Sequence, residues 1–430
     1  MRKPPASRIE ELRIERVGAR GDGIGRLPGA TDGRPVYVPY TAPGDLVRVA
    51  LGQARGDGVG GRLVELIEAG SGRRQPACGH FGNCGGCALQ QLHEEAYAAW
   101  KVEQATSALA HRGLVAERML PLLRTAPGTR RRATFAALGV GRGVVIGFHA
   151  RGSGTIVDIS ACPVLIPNLV SLLPGLRRAL VPLLSGGKGA EIVATWTETG
   201  ADLLVVSTRP PDLAARQALV GFAESQDLAR LSWAAPGEEP EPVAQRRLPR
   251  LTWGKVAVTP PPGAFLQPSL EGESVLVEAV CAAVGNSKQV ADLYAGCGTF
   301  AFPLAVLAKV HAVEGDKAAA AALMAAARGA GLGHRLVVER RDLERDPLSA
   351  TELKSYDAVV FDPPRAGAKR LSDSIAASSV PLVVAVSCHA PSFARDARIL
   401  VDGGYRLESV QPVDQFPWSA HVELAAILRR

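Results

Sequence analysis

Asp292-Leu293-Tyr294-Ala295-Gly296-Cys297-Gly298-Thr299-Phe300 is the stretch whose reading decides the fold. Residues 289–293 end an apolar run of strand length and residues 301–308 read as a helix, so the glycines lie where a strand turns into a helix. Glycine there lets the backbone approach a ligand closely, at the carboxyl edge of a sheet. The third glycine of a dinucleotide fingerprint is absent, because Phe300 and Ala301 follow Thr299. Working outward, further strands are predicted at 309–313, 336–338, 356–361 and 381–386, with an Ala-rich helix over 317–328. Such alternation points to an α/β parallel sheet covered by helices on both faces. Residues 405–410 and 422–428 read as two closing strands with no helix between them.

A chain of 430 residues has room for two or three domains, each with its own core. Hydrophobic residues make up 47% and charged residues 21%, which excludes a disordered chain. Lys plus Arg exceed Asp plus Glu by 49 to 42, a balance that permits a polyanionic partner without establishing one. Residues 1–8 contain no apolar core for a signal peptide, and no later run approaches about 18 apolar residues. The expectation is a cytoplasmic protein that does not span a membrane. In a reducing compartment its seven cysteines point to metal or catalysis in place of disulfides.

Residues 8–68 carry short β-type runs at 13–17, 36–38, 46–49 and 61–67, with a turn at Gly21-Asp22-Gly23-Ile24-Gly25. This spacing predicts a small β-barrel. Its Gly-rich turn, Tyr37-Val38-Pro39 and Pro43-Gly44-Asp45 resemble the TRAM domain, an oligonucleotide-binding-like barrel of RNA-modifying enzymes. A helix is expected over 89–112, with Leu92, Ala96 and Trp100 on one face and Gly113 at its end. Residues 120–258 mix short strands with Pro and Gly turns, and 236–242 read as an exposed loop. The resulting division is 1–70 for the barrel, 71–258 for a central α+β domain bearing a cysteine cluster, and 259–430 for the α/β domain.

Glu314, at the end of the second strand, is placed to accept hydrogen bonds from ribose hydroxyls. Asp362-Pro363-Pro364-Arg365 forms a rigid acidic turn after another strand, and Ser387-Cys388 ends the next one. With the Gly-rich loop, this order resembles a class I, Rossmann-like domain that uses S-adenosylmethionine. Asp-Pro-Pro alone would also suit an amino-group methyltransferase acting on RNA or DNA, but that chemistry needs no cysteine. Carbon 5 of uracil is a poor nucleophile, and methylating it calls for a thiolate at carbon 6 and a base for the carbon 5 proton.

Phe265-Leu-Gln267, Asp292 through Phe300, Val313-Glu314-Gly-Asp316, Asp362-Pro-Pro-Arg365, Val386-Ser-Cys388, Phe393-Ala-Arg-Asp396, Asp414-Gln-Phe-Pro417 and His421-Val-Glu423 keep one order over the last part of the chain. Together they resemble the RNA uridine-5 methyltransferases, and within them the bacterial 23S ribosomal RNA branch. The resemblance implies Cys388 as nucleophile and Glu423 as general base. It implies Gln267, Tyr294, Glu314 and Asp362 around the cofactor and the base, with Thr299 and Asp342 as further cofactor contacts. One departure stands out: His389-Ala390-Pro391 follows the cysteine where the family usually has Asn-Pro.

Cys78, Cys84 and Cys87 lie in a Gly-rich loop with Cys162 downstream, a set able to bind zinc or an iron–sulfur cluster. The resemblance implies a [4Fe-4S] cluster, leaving Cys281 and Cys297 as structural residues. The expected partner is RNA, 23S ribosomal RNA ahead of transfer RNA, with no obligate protein partner evident. A non-catalytic, redox-responsive RNA-binding protein is the alternative from another class, and intact positions for cofactor and catalysis argue against it.

Overall fold

The computed structural model describes residues 8–27 and 33–430. Residues 1–7 of the expected barrel domain, and most of the stretch read for a signal peptide, lie outside them. The chain forms two compact units. One takes the chain up to Gln104 together with Phe148–Val157 and Phe416–Ala420; the other takes Ala105–Gly147, Asp158–Gln415 and His421–Arg430.

The first unit contains a closed barrel of five strands in the order Ile9–Val17, Asp22–Arg26, Pro35–Pro39, Gly58–Glu68, Leu46–Arg55. Alternate residues point inward, so Leu12, Ile14, Val36, Val38, Val47 and Val49 make its core. The expected turn over Gly21–Gly25 is mostly strand. Gly21 turns, with φ +78°, whereas Asp22–Arg26 pairs on both sides. The glycines serve close packing there: a Cβ on Gly23 would collide with Thr41, and one on Gly25 with the carbonyl of Arg13.

The helix expected from residue 89 begins at Glu94 and runs to Ala110. The residues before it are held elsewhere: the amides of Ala88 and Leu89 donate to the Trp418 carbonyl, and Leu92 bridges to Arg73. Its buried positions are therefore Tyr97, Trp100, Lys101, Ala105 and Leu109. Gly113, at φ +65°, ends it as expected; Leu114 N–H donates to the Leu109 carbonyl and Gly113 N–H to that of Ala110, a Schellman closure.

The second unit holds a nine-stranded sheet, most of a seven-stranded one and the antiparallel pair Leu251–Trp253 and Val256–Val258. The seven-stranded sheet runs Ile156–Asp158, Gly143–His149, Arg132–Val140, Gly189–Thr197, Gly200–Val206, Arg230–Ala234, Glu241–Gln245. From its second strand onward it is antiparallel apart from the fifth and sixth strands of that order. Helices Leu173–Leu184 and Leu213–Ser225 pack against each other beside it. Residues 236–242 are exposed, the last two of them at the start of the edge strand.

In the nine-stranded sheet the order is Leu336–Arg340, Lys309–Glu314, Gln289–Leu293, Ala358–Phe361, Leu382–Ser387, Glu423–Arg429, Arg406–Asp414, then two short strands. The first five are parallel. The last strand of the chain inserts antiparallel between Leu382–Ser387 and Arg406–Asp414. Residues along the strands alternate between two cores: Val290, Val360 and Val384 face one, Ala291, Val359 and Val383 the other. Burial on both faces explains why these strands read as continuous apolar runs. Among the described residues no helix is long and apolar enough to cross a membrane.

Candidate active site

At the carboxyl edge, the strand Gln289–Leu293 runs into Tyr294 at φ +64°, Gly296 at φ +57° and Gly298 at φ +104°. A Cβ on Gly298 would run into Phe302 and Leu323, so the loop needs glycine for space as well as for φ. Glu314 closes this loop from the next strand, accepting from Gly296 N–H at 2.8 Å and from Asp316 N–H at 2.7 Å. Beneath it Asp292 is fully buried, and among the described residues no hydrogen bond of ordinary geometry reaches its carboxyl oxygens, although the Ala301 backbone amide lies close enough to favour the charged form. Burial, with Asp362 and Glu314 nearby, pushes its pKa well above the ordinary carboxylate range.

Thr299 is half-buried in the loop. The Tyr294 hydroxyl donates to Glu344 at 3.2 Å, and burial together with that acid raises its pKa. Exposed Asp342 accepts from the amides of Glu344 and Arg345 at 3.1 and 3.3 Å, closing its own turn.

Sheet register sets the chemistry. Cys388 follows the strand Leu382–Ser387, and Ser387 pairs with Leu424 in the antiparallel neighbour. The next residue on one strand, Cys388, and the preceding residue on the other, Glu423, therefore fall at the same level of the sheet edge. Asp362 follows the adjacent strand Ala358–Phe361.

Two amides link these acids. Gln267 Nε2 donates to Asp362 at 3.0 Å, while Gln415 Nε2 donates to Gln267 Oε1 at 2.7 Å and to Glu423 at 2.8 Å. Glu423 is 2% exposed, and among the described residues its other oxygen has no hydrogen-bond partner. Burial first and Asp362 second raise its pKa well above the ordinary value, against the Gln415 hydrogen bond. Burial also pushes Asp362 up to about 7, against Gln267. The half-buried Cys388 thiol is pushed up to about 12 by burial, then by Glu423 and Asp362, with Arg365 opposing them. The site thus disfavours negative charge until a cation enters, as the sulfonium of S-adenosylmethionine would be.

The structure brings together Gln267, Asp362, Cys388 and Glu423, and sets Glu314 against the glycine loop above Asp292. Among the described residues no contact assigns Thr299 a task, and Asp342 serves a turn. Gln415 and Asp292 are functional candidates that the sequence reading did not single out. Asp292, a polar residue inside an apolar strand, carried an available signal; Gln415, one residue past the strand Arg406–Asp414, carried none beyond its place in Asp414-Gln-Phe-Pro417.

Behind the nucleophile, His389 caps the helix Ala390–Asp402. Its Nδ1 lies 3.0 Å from Ser392 Oγ, which reaches the Arg365 carbonyl at 3.0 Å. Asp396 accepts from Ala368 N–H at 2.7 Å, and Arg395 donates to the Ala366 carbonyl at 2.9 Å. The Phe393-Ala-Arg-Asp396 stretch therefore secures the loop that follows Asp-Pro-Pro.

The cysteine loop belongs to the first unit. Cys84 bridges to Ala150, and its sulfur accepts from Gly86 N–H at 3.5 Å. Burial raises the Cys84 thiol pKa, and neighbouring Cys78 adds to the shift. An adjacent thiol pair with an amide donor suits thiolates held by a metal. Cys87 and Cys162 are half-buried. Among the described residues no three His, Cys, Asp or Glu side chains are gathered into a metal-holding group. Cys297 is buried in the core of the sheet, and Cys281 packs against it.

A family model described as tRNA (Uracil-5-)-methyltransferase matches residues 255–430, and one for the TRAM domain matches residues 8–64. An uncharacterized RNA methyltransferase of Brucella suis biovar 1 is 43% identical, with 99% of each chain covered. The 23S rRNA (uracil(1939)-C(5))-methyltransferase of Chromohalobacter salexigens is 33% identical over 97% of this chain and 89% of that one. In fold, the chain is similar to a Pyrococcus abyssi tRNA (uracil-54, C5)-methyltransferase crystallised with S-adenosyl-L-homocysteine. That likeness has a TM-score of 0.73 at 23% identity, covering 97% of this chain and 99% of the other. The chain belongs to the family of S-adenosylmethionine-dependent RNA uracil-5 methyltransferases.

Proposed function

We propose that this chain methylates carbon 5 of a uridine in 23S ribosomal RNA, in the cytoplasm, with Cys388 as nucleophile and Glu423 as general base. The observation that carries this reading is the strand register that levels Cys388 with Glu423, beside the hydrogen-bonded series Glu423–Gln415–Gln267–Asp362. The target uridine must leave its stack, since bases stacked above and below it cover the faces from which carbon 6 is attacked. The Cys388 sulfur then bonds to carbon 6, and the electrons of the 5,6 double bond move onto the carbon 4 oxygen. S-adenosylmethionine, when bound, would supply an electrophilic methyl group, which carbon 5 takes up as the sulfur–methyl bond breaks and S-adenosylhomocysteine is left. Glu423 removes the carbon 5 proton, the 5,6 double bond re-forms, and the thiolate leaves. Glu423 must be ionised for that step. Gln267, Tyr294, Thr299, Glu314, Asp342 and Asp362 are assigned to the pocket for cofactor and base, with Glu314 accepting from the ribose.

Cys78, Cys84, Cys87 and Cys162 are assigned as ligands of a [4Fe-4S] cluster. Supporting this are the all-sulfur donor set, the Cys78–Cys84 adjacency and the amide donated to Cys84. Methyl transfer moves no electron, so the cluster is assigned a structural or RNA-contacting role. The ribosomal substrate is supported by the cysteine spacing and by the Chromohalobacter relative, which is named for 23S rRNA. Transfer RNA is the second reading, favoured by the description of the matching family and by the Pyrococcus abyssi enzyme, which is named for tRNA.

Mapping 5-methyluridine in cells with and without the gene tests the assignment. Loss from 23S RNA alone is expected. Loss from transfer RNA alone overturns the substrate, and a methyl group on an exocyclic nitrogen overturns the chemistry.

A further inference from the structure

We infer that His389 is a positioning residue: it caps the helix that follows the nucleophile and, through Ser392, fixes Arg365 beside the Cys388 thiol. The inference rests on Cys388 being the nucleophile. His389 has extended backbone at the N-cap, and its Nδ1 accepts from Ser392 N–H at 3.4 Å. The Ser392 hydroxyl, 3.0 Å from that nitrogen, also lies 3.0 Å from the carbonyls of Arg365 and of His389 itself. The Arg365 guanidinium is steadied at its far end, 3.2 Å from His421 Nδ1. Arg365 is the cation that opposes burial, Glu423 and Asp362 at the thiol. One imidazole thus holds both the start of the helix and the backbone from which the thiol's cation projects.

The cap on Ser392 N–H calls for neutral His389 with its proton on Nε2, since a protonated Nδ1 cannot accept from that amide. The charges facing it agree. Arg365 comes from the loop after Asp362, and Arg395, paired with Asp396, from its own helix. With burial as the first cause, both hold the His389 pKa below its ordinary value. His421 acts from the loop before Glu423, through Arg365. Protonation of His389 would abolish the cap and set a new positive charge against the positive end of the helix. Asparagine caps helices with a side-chain oxygen and does not titrate, so it is the variant that keeps the position and removes the proton dependence.

The test is the rate at which iodoacetamide alkylates Cys388 in the full chain, read by mass spectrometry from about pH 5 to pH 10, alongside kcat and the RNA KM. His389→Ala should slow alkylation near pH 8 by about tenfold as the thiol titration moves up about one unit, and lower kcat similarly at unchanged KM. His389→Asn should stay within about twofold of the native rate there, and should lose less than the native chain when both are taken below about pH 6. Ser392→Ala should reproduce part of the His389→Ala effect. A His389→Ala protein that melts lower yet alkylates as the native chain does is merely short of a cap, and overturns the inference. Failure of Asn to restore the rate overturns it too. If Cys388→Ala still methylates RNA, the nucleophile assignment fails, while the alkylation comparison still reports whether His389 governs the thiol.

Discussion

Gln415 donates its amide to both Glu423 and Gln267, and its hydrogen bond holds the Glu423 pKa down against burial and Asp362. Gln415→Leu should therefore raise that pKa further. Because the base acts ionised, the acid limb of the kcat–pH profile should move to higher pH, with kcat near neutrality down about 10²-fold. A profile that falls uniformly without moving would assign Gln415 to packing alone. Asp362 allows a stability test. Its pKa is raised to about 7 in the folded protein, against about 3.9 in an unfolded chain. A raised carboxyl contributes stability that is full below the unfolded pKa and is lost as pH rises through the folded one. The ligand-free protein should lose melting temperature between about pH 4 and pH 8, and Asp362→Asn should flatten that slope in a fluorescence melt.

Among the elements, the glycine loop is the most exacting. Gly298 holds φ +104° with no room for a Cβ, so Gly298→Ala must shift the loop against Phe302. Strain of about 1–3 kcal/mol at such a position should weaken S-adenosylmethionine binding by tenfold or more in calorimetry, with thiol alkylation at Cys388 unchanged. An unaltered affinity would mean that the cofactor does not approach this backbone. The loop was legible in the sequence because strand, glycines and helix are contiguous, and the same holds for Asp-Pro-Pro and Ser387-Cys388. The Gln267–Gln415 link was not, since it joins residues 148 apart through a fold that no local pattern encodes. Local signals also misled. Glycines read as a turn at Gly21–Gly25 proved to be strand residues that let neighbouring chains approach, and Leu89–Leu92 looked helical because burial alone accounts for apolar residues there. The two closing strands were legible, but the insertion of the last one beside the Cys388 strand was not, because strand order depends on tertiary pairing.

At the scale of the whole molecule, the cysteine set and the catalytic pair can be tested separately. Anaerobically purified protein should carry about four irons and four sulfides per chain, and Cys84→Ser should bleach it; stoichiometric zinc without sulfide would refute the cluster. The most direct test of the central claim uses the full chain with substrate RNA and S-adenosylmethionine, because Cys388 and Glu423 act at opposite ends of one covalent intermediate. Cys388→Ala should form neither adduct nor product. Glu423→Gln keeps the thiol and lacks the base, so attack and methyl transfer should proceed while loss of the carbon 5 proton stalls. The measurement is a denaturing gel with methyl-labelled cofactor. A labelled protein–RNA adduct should form with Glu423→Gln and vanish when Cys388 is also replaced; near-native methylation by Cys388→Ala would rule out Cys388 as the nucleophile.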